Sequence, residues 1–468
     1  MGSIKFCHIM FNTNYKSSLL PLLLLLFCGG LSNVAQSQVS SFVDIRPKLN
    51  SPLSRFGLGN PVDQFYAAQA GLGGLESTYQ DGFHLNIQNP ASLASLQSTS
   101  FEVGGFGRSA SLADRNTTVN TWQGNMRYIA LGFPLRNPIS LNLARQQNIW
   151  NGGMAFSLTP TSNVGYDLQV LDDDPEFGET SNTLKGTGGG YRFSWSTAFR
   201  YKYLSAGLNV NYNFGKITNS RIVTFNDIEE ALASEFVEDV AIKGFSLGYG
   251  LQYAYNFKDV DKNGERRPNG KRIIIGLNGN LGNEIDTDAS VLFRRFSPNN
   301  QLAVRDTLRS ETSQSGTLTL PSSYSVGIAY EKTNKLYVGV EYGSRSNSDY
   351  QNSASPELLL DANRIAFGIQ YIPNANSYNK FIQRIRYRAG LRLEEDGRFV
   401  DGVQARRNAV TIGVGLPFRL PRQQISFVDL ALEFGKFGVP NILDENYVQF
   451  TVGFSLNDNS WFFKRKLN

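Results

Sequence analysis

Strict two-residue alternation of apolar and polar side chains recurs along most of this chain and constrains its fold more than any other feature. Successive side chains of a β-strand point to opposite faces, so such a segment forms a strand with one apolar face. Residues 204–214 and 245–257 alternate in this way. The pattern is clearest near the C-terminus, where one parity holds Val448, Phe450, Val452, Phe454 and Leu456 and the other holds Tyr447, Gln449, Thr451, Gly453 and Ser455.

The alternating segments are too long and too numerous for a β-sandwich. Strands of soluble sandwiches average about 5–6 residues, whereas strands that cross a membrane need about 9–11. The apolar parity carries aromatic residues near strand ends, and the other parity is rich in Gly and Asn, which suits a polar lumen. We therefore predict an all-β fold, a transmembrane antiparallel β-barrel of about fourteen strands. The predicted strands are 98–107, 119–134, 149–171, 183–200, 203–218, 238–257, 271–288, 319–332, 335–346, 361–373, 383–395, 404–419, 425–436 and 446–457.

The connections between these strands alternate in length, which orients the barrel. The odd-numbered connections are mostly long, as in 172–182, 219–237 and 289–318, and the even-numbered ones are mostly tight. Outer-membrane barrels have long extracellular loops and short periplasmic turns. Within one long connection, NDIEEALASEF (226–236) has capping-box spacing and predicts a short surface helix.

The first 37 residues have the pattern of a secretory signal. Lys5 and Lys16 precede an apolar run, and Ala35-Gln36-Ser37 resembles a cleavage site, so we expect cleavage before Gln38. Both cysteines, Cys7 and Cys28, fall in this segment, which excludes disulfides and thiolate chemistry from the exported chain. Export and the strand pattern together predict a multi-pass protein of the outer membrane.

The charge balance excludes one class of partner. Beyond the predicted signal the chain has 43 basic and 40 acidic residues, too even a balance to indicate nucleic-acid binding. We expect outer-membrane lipid as a partner, and no motif calls for a cofactor. The domain organisation predicted is a signal peptide (1–37), an N-terminal plug (38–97), a barrel (98–457) and a periplasmic tail (458–468).

The plug and the tail are inferred from what lies at the two ends of the barrel. Residues 38–97 show no sustained alternation and are apolar, and a fourteen-stranded barrel has a lumen wide enough to need filling. In the tail, Trp461, Phe462 and Phe463 are predicted to anchor the chain at the inner membrane interface, followed by a basic cluster. A partner-docking tail is the alternative.

The candidate site is a set of charged side chains on the lumen face. Alternation places Arg384, Arg386, Arg388 and Arg392 on that face, and Glu341, Asp429 and Glu433 on the lumen faces of other strands. Charges inside a barrel need partners or water. A salt-bridge lattice that stiffens the wall and clamps the plug is one interpretation. The other is an arginine ladder that binds an acidic head group.

Two further patterns suggest chemistry only weakly. In DVDKNGERRPNG, Asp259, Asp261 and Asn263 have the spacing that begins a calcium-binding loop, but position 12 is Gly270 rather than a bidentate Glu. A plain polar turn is the favoured interpretation, so no metal is expected. His84 with Ser92 or Ser95 offers the residue types of a hydrolase site. A histidine satisfied within the plug is the favoured interpretation, and no enzyme activity is expected.

Three segments resemble the FadL-type outer-membrane transporter family. The junction GFHLNIQNPASLASLQSTSFEVG, with Asn89, Pro90 and Ala91, is similar to that family's link between hatch and first strand. The stretch SPLSRFGLG (51–59) and the tail WFFKRK (461–466) resemble members from Bacteroidota. The resemblance implies a fourteen-stranded barrel with an N-terminal plug and passage of hydrophobic or amphipathic small molecules such as long-chain fatty acids. The alternative is a non-transporting barrel subunit, with envelope protein partners, of a protein secretion or outer-membrane assembly complex.

Overall fold

The computed structural model describes residues 52–458 apart from 114–117, 137–148, 177, 229, 261–265, 298–299, 354–356, 420–423 and 441. No helix among these residues has the length and apolar character needed to cross a membrane. Strands dominate. They are β1 (Asn60–Pro61), β2 (Thr99–Ala113), β3 (Thr118–Pro134), β4 (Trp150–Pro160), β5 (Ser162–Asp174), β6 (Gly178–Tyr201), β7 (Leu204–Phe225), β8 (Ala233–Val260), β9 (Arg266–Asn280), β10 (Asn283–Ser297), β11 (Asn300–Leu320), β12 (Ser323–Lys332), β13 (Leu336–Arg345), β14 (Gln351–Asn352), β15 (Ala362–Tyr371), β16 (Arg386–Val400), β17 (Val403–Arg419), β18 (Ile425–Val439) and β19 (Leu443–Asp458).

The strands form one closed antiparallel barrel. β4 continues into β5, β9 into β10 and β11 into β12, each pair making one wall strand with a short break. Counted in this way the wall has fourteen strands, which confirms the predicted fold class. The last strand closes on the first, with β19 paired to β2 from Asp458↔Thr99 to Asp444↔Ala113. Closure removes the two free edges that an open sheet would expose.

Alternation in the sequence becomes inward and outward orientation in the wall. In β19, Phe450 is 41% exposed on the outer surface, while its neighbour Thr451 is 2% exposed on the lumen side. At mid-height of the wall the outward-facing side chains are apolar, as contact with lipid requires, and the lumen side is largely polar. The closing strand is therefore confirmed as the fourteenth.

Several connections that the sequence predicts as loops are continuous hairpins. β10 and β11 pair along 289–318, and β7 and β8 extend their ladder to Val223↔Ser234. The predicted helix at 226–236 is wrong, because Ser234 and Phe236 pair with β7 on one side and with β10 on the other. At about 3.3 Å per residue, β6 is roughly 80 Å long, far more than a bilayer requires. Strands β5, β6, β7, β8, β10 and β11 thus form a sheet that projects from the extracellular rim, called here the projecting sheet.

The wall has a gap between β3 and β5 on its extracellular half. β3 pairs with β4 only from Ile129↔Leu158 to Pro134↔Gly153. Above that level β3 pairs only with β2, and the facing edge of β5 pairs with β1 at Ser162 and Asn163. Residues 118–128 and 164–174 therefore present strand edges that meet no other described strand.

Residues 52–97, called here the luminal segment, pack against the inward-facing side chains of the wall. The segment has 3₁₀ helices at Pro52–Arg55 and Pro90–Ser95 and one α-helical turn, α1 (Ala67–Ala70). Most of its apolar residues are buried against the wall, in clusters that include those around Leu93 and Leu72. Residues 38–51 lie outside the described part of the chain, so a plug covering 38–97 stays a prediction.

Candidate functional site in the barrel lumen

Three arginines from the wall converge on Asp63 in the luminal segment. Nη1 of Arg392 lies 2.8 Å from Asp63 Oδ1, and Arg407 and Arg127 each approach the same carboxylate at 3.3 Å. Nη2 of Arg392 also contacts Glu433 at 2.6 Å, and the hydroxyl of Tyr447 donates to that glutamate. Arg392 is 1% exposed, so its charge is balanced by these carboxylates rather than by water.

A second cluster lies around His84. Nε2 of His84 is 2.8 Å from Asp429 Oδ2, and Nδ1 is 3.5 Å from Asp81. Arg388 pairs with the other oxygen of Asp429, and Arg386 lies 2.6 Å from Asp81. Each arginine is thus paired with a carboxylate, and a histidine bridges the luminal segment to β18.

A third contact involves Glu341 of β13. Its Oε2 accepts hydrogen bonds from the backbone N–H groups of Glu76 and Ser77, at 2.9 and 2.7 Å, and from the Ser77 hydroxyl at 2.6 Å. Arg364 donates to the other oxygen, Oε1, at 2.6 Å. Glu341 is buried and holds the turn at Ser77 through its backbone as well as its side chain.

The electrostatics of the luminal segment follow from these pairs. Burial by itself would raise the pKa of Asp63, but Arg392, Arg407 and Arg127 outweigh it and hold that pKa well below its usual range. Asp81 behaves alike, since Arg386 and His84 lower its pKa against the effect of burial. Burial disfavours the charged form of His84, yet Asp429 and Asp81 raise its pKa to about 9. The histidine is therefore a cation at neutral pH.

Of the four arginines that the sequence places on the lumen face, Arg384 lies elsewhere. It ends a 3₁₀ helix (Phe381–Arg384) in the periplasmic connection, with its guanidinium 5.5 Å from the Phe381 ring centroid. Its placement on the strand is wrong, because β16 begins only at Arg386. The structure brings Arg386, Arg388, Arg392, Asp429 and Glu433 together along one side of the lumen, with Glu341 farther round the wall.

The junction at Asn89, Pro90 and Ala91 is a helix cap. Asn89 precedes the 3₁₀ helix Pro90–Ser95, and its Oδ1 accepts from the N–H of Ala91 at 3.1 Å. Its Nδ2 donates to the carbonyl of Ser77 at 2.6 Å, which joins two turns of the luminal segment. The motif fixes the path of the segment.

Sequence analysis missed a ring of inward-facing glycines. A Cβ at Gly276, Gly207 or Gly390 would meet the backbone of the luminal segment at less than 3.0 Å. Gly250 and Gly153 face the same segment equally closely. The sequence does carry a signal for them, because each of these glycines has the parity of the lumen-facing residues of its strand.

The remaining sequence candidates fall largely outside the described residues. Trp461, Phe462 and Phe463 do so entirely, as do Asp261 and Asn263, while Asp259 accepts a hydrogen bond from Asn269 at 3.1 Å. Within the described ranges no three His, Cys, Asp or Glu side chains are grouped to hold a metal. Ser92 and Ser95 donate to Asn86 and Gln80 rather than to His84.

A cavity of about 230 Å³ lies between the luminal segment and the base of the projecting sheet. One side is apolar and is formed by Leu58, Ile285 and Leu359, among other residues. The lining also includes Arg192 and Arg345, neither of which forms an ion pair with a described carboxylate. These two arginines, unlike Arg386, Arg388 and Arg392 of the predicted ladder, have no carboxylate partner in the described chain.

A closed antiparallel barrel with an apolar outer surface and a filled polar lumen defines an outer-membrane β-barrel protein. The structure is similar to the toluene transporters TodX of P. putida (TM-score 0.52, 14% identity, 85% of this chain and 99% of that chain) and TbuX of Ralstonia pickettii (TM-score 0.51, 13% identity, 85% and 99%). These are FadL-family barrels, so the predicted FadL-type fold is confirmed. No curated protein matches the sequence. The family model named BamG matches residues 34–468, and the chain belongs to the BamG family.

Proposed function

We propose that this protein is a closed, non-enzymatic barrel that serves as a subunit of an envelope complex for outer-membrane assembly or protein secretion. The observation that carries the proposal is the attachment of the luminal segment by buried ion pairs. Asp63, Asp81 and His84 each contact charged groups of the wall. A segment held in this way would have to break several buried pairs before it could leave the lumen, and each broken pair is costly.

The projecting sheet supports the same proposal. It extends well beyond the length that a bilayer requires and adds exposed surface above the membrane, including Phe236 at 41% exposure stacked on Phe293. Exposed aromatic residues are frequent in protein interfaces. A barrel that only admits small molecules has no need of six long strands outside the lipid.

Purification from native outer membranes in mild detergent tests this proposal. We expect stoichiometric protein partners and no ion conductance of the purified barrel in planar bilayers. A variant in which an Asn-Gly turn replaces residues 295–306 links Arg294 to Thr307, which face each other in the β10–β11 ladder. It removes the tip of the projecting sheet together with the rungs that Arg295 and Phe296 form with β8. Loss of a partner from this variant supports the proposal, whereas recovery of a solitary barrel from wild-type membranes contradicts it.

A second function, passage of hydrophobic or amphipathic small molecules such as long-chain fatty acids, is favoured by two other observations. The cavity beside Leu58 and Ile285 is apolar on one side, and the gap between β3 and β5 opens the outer half of the wall. TodX and TbuX are described as toluene transporters. Uptake of labelled fatty acid and of toluene into proteoliposomes tests this function, and Leu58→Arg, which places a charge in the cavity, should abolish uptake if it occurs.

A further inference from the structure

The periplasmic connection between β15 and β16, residues 372–385, is an ordered protrusion. The N–H of Asn374 donates to the carbonyl of Gln383 at 2.8 Å, which closes the base of the loop. Inside the loop, Ser377 and Gln383 donate to the carbonyls of Asn374 and Lys380. Tyr387, the first outward-facing residue of β16, donates from its hydroxyl to the carbonyl of Ile382 at 3.2 Å. The loop therefore has a fixed shape before it meets any partner.

The protrusion exposes large apolar side chains where the wall has ended. Tyr378 is 84% exposed, Ile382 68% and Phe381 44%. The wall itself ends at the level of the pair Tyr371↔Tyr387, so Tyr378 lies seven residues beyond the last rung of the ladder. Among the periplasmic connections described in full, 202–203 and 333–335 are tight turns, and only this one is long.

The charge of the protrusion is uniform. Residues 372–385 contain Lys380 and Arg384 and no acidic residue. Arg384 lies against the ring of Phe381, so one cation is held beside the apolar group. Neither cation forms an ion pair with a described carboxylate. An apolar patch edged by unpaired basic groups fits a partner whose apolar groove is bordered by carboxylates.

We propose that residues 372–385 form a docking site for a periplasmic protein that has an apolar groove with an acidic rim. The inference rests on the proposed function, since it specifies a partner for the same barrel. The site continues directly into β16, where Arg386, two residues after Arg384, pairs with Asp81 of the luminal segment. A partner bound here would therefore act on the strand that holds the luminal segment.

Photocrosslinking in intact cells tests the site. We would place p-benzoylphenylalanine at Tyr378 of the full chain, with Lys335 in the neighbouring tight turn as the matched control position. The expected result is one discrete protein adduct at Tyr378 that is absent at Lys335. The double variant Lys380→Glu, Arg384→Glu should reduce that adduct at least tenfold while the heat-modifiable mobility of the folded barrel is kept. Mass spectrometry should identify the adduct as a periplasmic or membrane-anchored protein.

Three outcomes would overturn the inference: adducts with lipid alone, equal adducts at both positions, or an adduct that is unaffected by the charge reversal. These outcomes are separable from failure of the proposed function. If purification yields stoichiometric partners but Tyr378 gives no protein adduct, only the docking site is wrong. If neither experiment finds a partner, both are wrong.

Discussion

Arg392 and Asp63 form the ion pair on which the attachment of the luminal segment is centred, with Nη1 of the arginine 2.8 Å from the carboxylate. The arginine comes from the wall and the aspartate from residues that precede the first wall strand. Arg127 and Arg407 approach the same carboxylate. One acidic group of the luminal segment thus balances arginines of three strands, β3, β16 and β17.

Replacing Asp63 with asparagine should remove the carboxylate that the three arginines share and leave Arg127 without a carboxylate partner among the described residues. We expect a loss of about 3 kcal/mol in the free energy of unfolding, because removing one partner of a largely buried pair is strongly destabilising. Urea unfolding in lipid vesicles, followed by tryptophan fluorescence, measures it. The matched control is Glu311→Gln, which breaks the exposed pair with Arg309 and should have no measurable effect. Equal effects of the two variants would contradict the conclusion that Asp63 forms a stabilising buried ion pair with the wall.

Two arginines that share a sequence pattern should behave differently. Arg388→Met removes the partner of Asp429 and should cost about 3–5 kcal/mol, whereas Arg384→Met should change stability by less than about 0.5 kcal/mol. Methionine keeps the volume of the chain in both cases. The unfolding midpoint of each variant is the measurement. Similar destabilisation by both variants would indicate that Arg384, like Arg388, is a paired side chain in the lumen.

The glycine ring makes a prediction about packing. Gly276→Ala places a methyl group against the carbonyl of Ser77 and should destabilise the protein by about 1–3 kcal/mol or more, since backbone atoms cannot rotate away. Gly107→Ala is the control, because the nearest atom to its added Cβ is 3.6 Å away in the ring of Trp122. Chymotrypsin cleavage at Tyr79, which is 3% exposed in the folded protein, reports displacement of the segment. An unchanged cleavage rate for Gly276→Ala would show that the contact is not tight.

Attachment near His84 should depend on pH. The pKa of His84 is raised to about 9 in the folded protein, above its usual value of about 6.5. Its contribution is therefore complete below about pH 6.5 and is lost as pH rises through 9, with up to about 3 kcal/mol at stake. The unfolding free energy measured from pH 6 to pH 10 should fall across this window, and His84→Gln should flatten that fall. A variant that keeps the wild-type slope would assign the pH dependence to other groups.

Local periodicity explains which features the sequence could predict. The wall strands follow from two-residue alternation, and parity places Arg386, Arg388, Arg392, Glu341, Asp429 and Glu433 on the lumen side. The alternation in the sequence continues to the N-terminal side of Arg386, where β16 begins, so it wrongly predicts a strand position for Arg384. That residue instead ends a 3₁₀ helix.

Contacts between distant segments could not be predicted. The length of β8 depends on pairing with β10, about fifty residues away in the sequence, so its upper half looks like a loop in isolation. The partners of the lumen arginines, Asp63 and Asp81, lie more than 300 residues before Arg392 and Arg386 and in no periodic pattern. The gap between β3 and β5 is an absence of hydrogen-bond pairing between two strands. Each strand keeps its own alternation of side chains, so the sequence gives no indication of the gap.

The inward glycines have a consequence for biogenesis. Gly207, Gly276 and Gly390 have no side chain to fill the lumen beside them. Backbone atoms of the luminal segment occupy that space instead. An empty barrel of this sequence would enclose unpaired arginines and bare backbone. We therefore expect the luminal segment to be in place before β19 pairs with β2, so that the molecule enters the membrane as a single cooperative folding unit.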